Sequence, residues 1–477
     1  MKPFRRHWCR TKIVCTIGPA TGSEKMVRQL IQAGMDVARL NMSHGTADEH
    51  TAYIGLIRGV ARDMGVEVAI LLDLPGPKHR VGELPGGKVR LHQGATVTLT
   101  DQPVEGNPGL IPVTLPGLST GLMPGRTILL DDGALQIKVT AVNGCEVHGR
   151  VTAGGVLVQG RGVVVPGMPN PGPFVSPELR YLLRLATKIK PDYIALSFVS
   201  RAQDVIDARK VLQEAGDEIP LVSKIERRDA LKEFDAILTA SDAIMVARGD
   251  LGVEIPLERV PLAQKRIIRK CNRVGKPVIT ATEMLQTMVA AQRPVRAEVT
   301  DVANAIFDGT DAVMLSAETS IGKYPIQAVK MMDRICRETE KDLPYESALT
   351  QRKPLVDTAT EELIGYNACL TAHNLSAKAI VAFTQSGNTA RRVSKYRPRP
   401  PILAVTPGDI CGRLVLLWGV YPIRSRVTTS TTELFATAAR LAKETGLARS
   451  GDRIVITGGI PFGESGSTNM LKVETVA

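Results

Sequence analysis

The feature that most limits what this chain can become is an alternation kept up eight times: a short apolar run that closes on a polar residue, then a stretch with helical spacing. From Thr11 to Leu74 it reads TKIVCTIG, SEKMVRQLIQAG, VARLNMSH, a further helical stretch and VAILLDLP. After an interruption it resumes with DYIALSFVS, IPLVSKIE, DAIMVARGD, KPVITATEML and DAVMLSAET, each followed by a helical stretch, to about Leu343. Strands separated by helices pair in parallel, because a parallel pair needs a long crossover. Three such strands before the interruption and five after it make eight, which predicts an α/β protein built on a closed (β/α)8 barrel of the TIM type. An open doubly wound sheet also satisfies the alternation.

Between Pro75 and Val165 the texture changes to short alternating runs rich in Gly and Pro, such as HQGATVTLT and RTILLDDGALQIKVTA, which read as a small inserted β-barrel. Beyond the barrel, PYESALTQRKPLVD reads as a linker, and KAIVAFT, PPILAVT, GVYPIRSRV and DRIVITGG are strands of a further α/β unit. The expected division is therefore a barrel over 1–74 and 163–345, an inserted β lid over 75–162, and a C-terminal α/β domain over 356–477. A chain of 477 residues exceeds what one hydrophobic core usually serves, in keeping with several domains.

Sixty Lys and Arg against 48 Asp and Glu give a net charge of +12, which suits either nucleic acid or anionic metabolites. The densest basic cluster, Arg391 to Arg399, is broken by Tyr396 and Pro398, and no zinc-finger spacing or RNA-binding signature occurs. A multiply phosphorylated small molecule is the expected partner, and nucleic acid is not. Seven scattered cysteines without a CxxC pair fit a reducing cytoplasm. The basic start MKPFRRHWCRTK has no apolar run behind it, so neither export nor membrane insertion is expected.

In a barrel of this kind the active site is assembled from strand ends at the C-terminal face. Those ends carry Arg39, Asn41, Ser43 and His44 on the second strand and Asp73 on the third. The fifth carries Lys224 and Glu226, the sixth Arg248 and Asp250, the seventh Thr280 and Thr282, and the eighth Ser316 and Glu318. Lys224 and Glu226 stand two residues apart on a strand, so both side chains leave on the same side. With Asp250, two carboxylates lie beside one ammonium, a layout that suits a hard divalent ion completed by substrate oxygens. Little covalent chemistry, firm positioning and positive charge where negative charge accumulates are what phosphoryl transfer requires. No GxxxxGK[ST] run and no strand-borne GxGxxG occurs, so a nucleotide must be held without either loop.

At this point the chain resembles the pyruvate kinase family. The resemblance rests on TKIVCTIGPA, ARLNMSHG, LLDLPGPKHR, LVSKIE, MVARGDLGVE, ITATEML, RAEVTDVANAIFDGTDAVMLSAET and TQSGNTARRVSKYRPRPPI, in order along nearly the whole chain. It implies transfer of a phosphoryl group from phosphoenolpyruvate to ADP, with pyruvate and ATP as products. Glu226 and Asp250 would hold Mg²⁺ or Mn²⁺. Lys224 and Arg39 would take the phosphoryl group, and Gly249, Asp250 and Thr282 the substrate carboxylate. Thr282 would also stand near the enolate carbon when it is protonated. Asn41, His44, Arg80 and Arg161 would meet ADP.

The resemblance also marks a departure. Family members that bind K⁺ do so with Asn, Ser, Asp and a Thr carbonyl beside a DTKGPEIRTG run. Here Asn41, Ser43 and Asp73 remain, but Leu74 replaces the Thr, and Lys78 replaces the Glu within DLPGPKHRVG. A lysine ammonium can stand in for a monovalent cation, so K⁺-independence is expected. In the last domain the turn TQSGNTARR, with Thr384, Ser386, Asn388 and Thr389, is the expected cradle for a phosphorylated effector, and the family suggests a homotetramer. A Mg²⁺-dependent aldolase or lyase of the same enolate chemistry would share Glu226 and Asp250 but would not need the lid. A metabolite sensor should have lost Lys224 or a magnesium carboxylate, and none is lost.

Overall fold

The computed structural model describes residues 8–168, 172–354, 358–425, 430–460 and 468–477. The alternation yields barrel strands β1 (Lys12–Thr16), β2 (Val37–Asn41), β3 (Ala69–Leu74), β4 (Tyr193–Leu196), β5 (Leu221–Ile225), β6 (Ala243–Ala247), β7 (Val278–Ala281) and β8 (Ala312–Leu315). They pair in parallel in chain order and β8 closes onto β1, which excludes the open sheet. Both faces of each strand are buried. Val14, Val37, Leu71, Ala195 and Val222 fill the barrel interior, while Ile13, Ile70, Ile194 and Ile244 pack outward under the helices.

Period two then decides the next layer. The inward series Val14, Val37, Leu71, Ala195 and Val222 continues two residues later into Thr16, Arg39, Asp73, Ser197 and Lys224. A ring of polar side chains is thereby stacked on an apolar core at the C-terminal mouth. The helices between the strands obey local rules. The helix Ala47–Met64, for example, starts from a Thr46 and Glu49 capping box and stops at left-handed Gly65.

The insertion forms a two-stranded and a six-stranded sheet around one core that includes Leu99, Ile111, Ile128, Ile137 and Val147. Val163–Val164 pair with Leu129–Leu130, so the lid runs one strand past the boundary expected at residue 162. The tip of its hairpin is left-handed at Asp131, Asp132 and Gly133, with φ of 51°, 53° and 90°.

The C-terminal domain holds β9 (Ile380–Phe383), β10 (Ile402–Thr406), β11 (Val420–Arg424), β12 (Arg453–Gly458) and β13 (Met470–Thr475), in sheet order β11-β10-β9-β12-β13. Sequence reading missed β13, an antiparallel edge strand whose residues are partly exposed and carry no clean apolar rhythm. It also misread the linker. Tyr345–Gln351 is a helix, Leu349 is buried in the C-terminal core, and Arg352 Nη1 donates to Lys395 O at 2.7 Å. Residues 355–357 of that stretch lie outside the described residues.

The C-terminal domain closes the other end of the barrel. Val415 and Leu416 join the interior core. The buried Lys12 ammonium donates to Val420 O at 2.8 Å and lies 4.0 Å from the Tyr421 ring centroid. Arg397 pairs with Asp311 at 2.9 Å. The C-terminal mouth stays clear of these contacts. Among the described residues no helix is long and apolar enough to cross a membrane.

Candidate active site

Asp73 is the hub of the mouth. Its Oδ2 accepts from Arg39 Nε at 2.7 Å and lies 2.7 Å from Arg39 Nη2, while Oδ1 meets Lys224 Nζ at 3.2 Å. Arg39 is fixed on its other edge by Nη1 donating to Thr16 Oγ1 at 2.9 Å. Lys224 also donates to Ser197 Oγ at 2.7 Å and pairs with Glu226 Oε1 at 3.0 Å, as the two-residue spacing requires. All of these side chains are at least largely buried. Burial pushes the Asp73 carboxyl up, but Lys224 and Arg39 outweigh it and hold the group below its ordinary range. Burial likewise lowers Lys224, and the carboxylates of Asp73 and Glu226 reverse this and raise it.

Glu226 behaves differently. Burial is the largest influence and lifts it to about 7; Lys224 opposes the rise and the nearby Asp250 carboxylate adds to it. Its Oε2 accepts from Phe198 N–H at 2.5 Å, and Phe198 adopts a left-handed φ of 59° to present that amide. The preceding loop comes close enough that a Cβ on Gly76 would lie 2.4 Å from Ser197 O, so glycine is required there. Asp250 sits in the short helix Arg248–Glu254, its Oδ1 3.4 Å from Lys78 Nζ.

A divalent ion fits this arrangement. Glu226 and Asp250 are hard oxygen donors, the Asp250 carboxylate adds to the cost of ionising Glu226, and a cation between them would relieve it. Among the described residues no cluster of three or more His, Cys, Asp or Glu could hold a metal, so such an ion takes its remaining ligands from substrate and water. Charge leads to the same result. Once Glu226 is ionised, Arg39, Lys224 and Lys78 balance Asp73, Glu226 and Asp250, so an anionic substrate entering the mouth needs positive charge from elsewhere.

Thr282 lies past the end of β7 with φ of 69°, followed by Glu283 at 54°. A β-branched residue in that region is strained by about 1–3 kcal/mol and persists only when its surroundings impose it. Its hydroxyl accepts from Gly249 N–H at 2.8 Å and donates to Ala281 O at 2.6 Å.

These observations stand beside direct comparison with known proteins. The pyruvate kinase barrel domain matches residues 8–329, and the pyruvate kinase alpha/beta domain matches 362–474. The chain belongs to the pyruvate kinase family. It is 46% identical over 473 residues to a pyruvate kinase of Geobacillus stearothermophilus, covering 98% of this chain and 80% of the relative. A pyruvate kinase of Staphylococcus aureus is 46% identical over 470 residues with the same coverage. A crystal structure of a pyruvate kinase from Cryptosporidium parvum superposes with a TM-score of 0.93 at 36% identity, covering 98% of this chain and 97% of that one. The protein is accordingly a phosphotransferase of this family.

The remaining residues singled out in the sequence are placed as follows. Asn41 ends β2, and Ser43 and His44 lie in the loop after it; Asn41 Oδ1 accepts from Ser43 N–H at 3.2 Å, and the His44 carbonyl lies 2.7 Å from His50 Nε2. Arg80 and Arg161 are exposed on the lid, engaged with Gly160 O at 2.9 Å and Asp131 Oδ1 at 3.3 Å. Lys78 meets Asp250, Asp132 of the lid at 3.8 Å and the Phe198 ring. Its partners thus differ from the residues expected to form a monovalent site: Asp73 is engaged by Arg39 and Lys224, and the Leu74 side chain is in the core.

In the last domain Thr384 Oγ1 accepts from Gly387 N–H at 2.9 Å and Thr389 Oγ1 lies 2.8 Å from Thr468 Oγ1, while Ser386 is exposed and Asn388 opens the next helix. Two strand-end residues from the sequence do not reach the mouth. Thr280 bonds Thr310 at 3.0 Å outside the barrel, and Glu318 clasps the Leu285 and Ser316 amides at 3.1 and 2.7 Å. Sequence reading missed Thr16 and Ser197, which the period-two continuation of Val14 and Ala195 would have found.

Proposed function

We propose that this enzyme transfers the phosphoryl group of phosphoenolpyruvate to ADP at the barrel mouth, with release of pyruvate. The observation that carries the reading is the Arg39–Asp73–Lys224–Glu226 network, two cations held at fixed spacing by one buried carboxylate beside a metal-competent one. Lys224 and Arg39 bind the phosphoryl oxygens and meet the charge that spreads over them during transfer. A Mg²⁺ or Mn²⁺ held by Glu226 and Asp250 would offset the charge left on the enolate oxygen. The amides of Gly249 and Asp250, with Thr282, orient the substrate carboxylate; because Thr282 Oγ1 now occupies the Gly249 amide, it must yield when substrate arrives. Asn41, His44, Arg80 and Arg161 serve ADP, the two arginines arriving with the lid, which also excludes water.

Lys78 places its side-chain nitrogen 3.4 Å from Asp250, and this supports K⁺-independent activity. The turn of Thr384, Ser386, Asn388 and Thr389 is the effector cradle in this reading, supported by amides gathered at the head of the helix Asn388–Lys395. Exposed Leu257, Leu262, Phe307 and Ile321 on the barrel's outer helices and loops support self-association, a homotetramer in this reading. All seven cysteines are unpaired, which supports a cytoplasmic setting.

The test is pyruvate release from phosphoenolpyruvate, with ADP and Mg²⁺ each omitted in turn. Full release without ADP would refute phosphoryl transfer as the reaction.

A further inference from the structure

Arg248 is left without a role by the reading above, yet its guanidinium is bonded to the backbone at the end of β7 and to an outer helix. It opens the helix that carries Asp250, and its guanidinium reaches β7 instead of the magnesium carboxylates. Nη2 donates to Thr282 O at 2.7 Å and Nε to Ala281 O at 3.3 Å. Nη1 meets Asp301 Oδ1 at 2.8 Å and Oδ2 at 2.7 Å, and lies 3.4 Å from Gln264 Oε1. The Met284 sulfur is 2.9 Å from Nη2.

The two carbonyls it gathers flank Thr282, the residue whose backbone is left-handed at φ 69°. Such a conformation in a β-branched residue needs outside support, and one planar cation on both carbonyls supplies it. Ala281 O is shared: it accepts from Arg248 Nε and from the Thr282 hydroxyl at 2.6 Å. Arg248 is therefore bonded to both carbonyls of the backbone from which Thr282 Oγ1 extends. Asp301, on the outer helix Arg296–Asp308, holds the opposite edge of the guanidinium and keeps it from swinging away. A lysine cannot replace this, since a point charge on a flexible stem does not span two carbonyls and a carboxylate at once.

We propose that Arg248 is a positioning residue for the proton-transfer half of the reaction: it locks the Thr282 backbone in its left-handed conformation, which fixes the place from which the hydroxyl turns from the Gly249 amide to the substrate. In that step the C=C electron pair of the enolate forms a C–H bond with a proton supplied by solvent water through the Thr282 hydroxyl, an O–H bond breaks and is restored from water, and the enolate oxygen forms the ketone C=O, so no oxidant or reductant is needed. The inference rests on the reading of Thr282 as the group beside the enolate.

The experiment follows exchange of the methyl hydrogens of pyruvate with D2O by NMR, alongside phosphoryl transfer, in the parent, Arg248→Lys, Thr282→Ala and the double variant, all with Mg²⁺. Arg248→Lys is expected to slow exchange by about 10²-fold, the scale of a 1 Å misplacement, and to slow it more than it raises KM for phosphoenolpyruvate. In the Thr282→Ala background the same change is expected to add little, because the hydroxyl it positions is gone. Fully additive losses in the double variant overturn the proposal. Unimpaired exchange in Thr282→Ala alone instead overturns the reading of Thr282, and the inference with it. Should Arg248→Lys fail to fold, Asp301→Ala serves in its place: slowed exchange that disappears in the Thr282→Ala background supports the proposal, and additivity again defeats it.

Discussion

Replacing Asp73 by Asn removes one charge and changes almost nothing else in shape, which makes it the cleanest perturbation of the mouth. In the parent, Oδ2 serves Arg39 twice at 2.7 Å and Oδ1 serves Lys224 at 3.2 Å. An amide can accept from Arg39, but its NH2 then faces the Lys224 ammonium, and the buried Arg39 loses its only ion-pair partner among the described residues. Breaking a buried pair from one side costs about 3–5 kcal/mol. Lys224 keeps Glu226 at 3.0 Å and Ser197 at 2.7 Å, which argues for the lower end, about 3 kcal/mol. Turnover should fall further than stability alone implies. The two cations are no longer held at one spacing, and a displacement near 1 Å at a reacting group costs about 10²-fold. Urea unfolding followed by intrinsic fluorescence reports the first quantity, and pyruvate release at saturating phosphoenolpyruvate, ADP and Mg²⁺ reports the second. An Asn variant with the parent's urea midpoint and the parent's turnover would show that the carboxylate is not what organises Arg39 and Lys224.

Three further outcomes are expected. Lys224→Met should lower turnover by about 10² or more, the scale of losing one electrostatic stabiliser; near-normal pyruvate release would remove Lys224 from the mechanism. Lys78→Glu should make the rate depend on K⁺ where the parent does not, measured against a bulky organic cation at equal ionic strength, and strong K⁺ activation of the parent would defeat the reading. Asp311→Asn should loosen the seal at the closed end of the barrel, since it strips the buried Arg397 of its 2.9 Å partner. About 3–5 kcal/mol is the expected loss, read as a lowered urea midpoint, with an unshifted midpoint as the contrary result.

How much of this was legible beforehand depended on whether a feature is local. The eight parallel strands followed from strand–helix alternation, and the convergence of Lys224 with Glu226 followed from a spacing of two, both properties of neighbouring residues. The edge strand Met470–Thr475 and the helix Tyr345–Gln351 escaped notice. The first is half-exposed and lacks an apolar rhythm, and the second takes its place partly from the burial of Leu349 against a core distant in sequence.

The amino-acid order alone determined the eightfold strand–helix alternation, the inserted β unit, the family motifs and most of the polar layer at the strand ends, because backbone periodicity projects them without reference to the rest of the chain, whereas the closure of the eight strands into a barrel was decided by the pairing of β8 with β1. Tertiary structure alone decided which groups share a proton or a charge. Asp73 joins Arg39 to Lys224, Lys78 turns to Asp250, Arg248 gathers the carbonyls around Thr282, and Val415 and Leu416 stop the far end of the barrel. Each of these joins segments separated by tens to hundreds of residues. Their distances are set by how whole elements pack, and no local pattern carries that information.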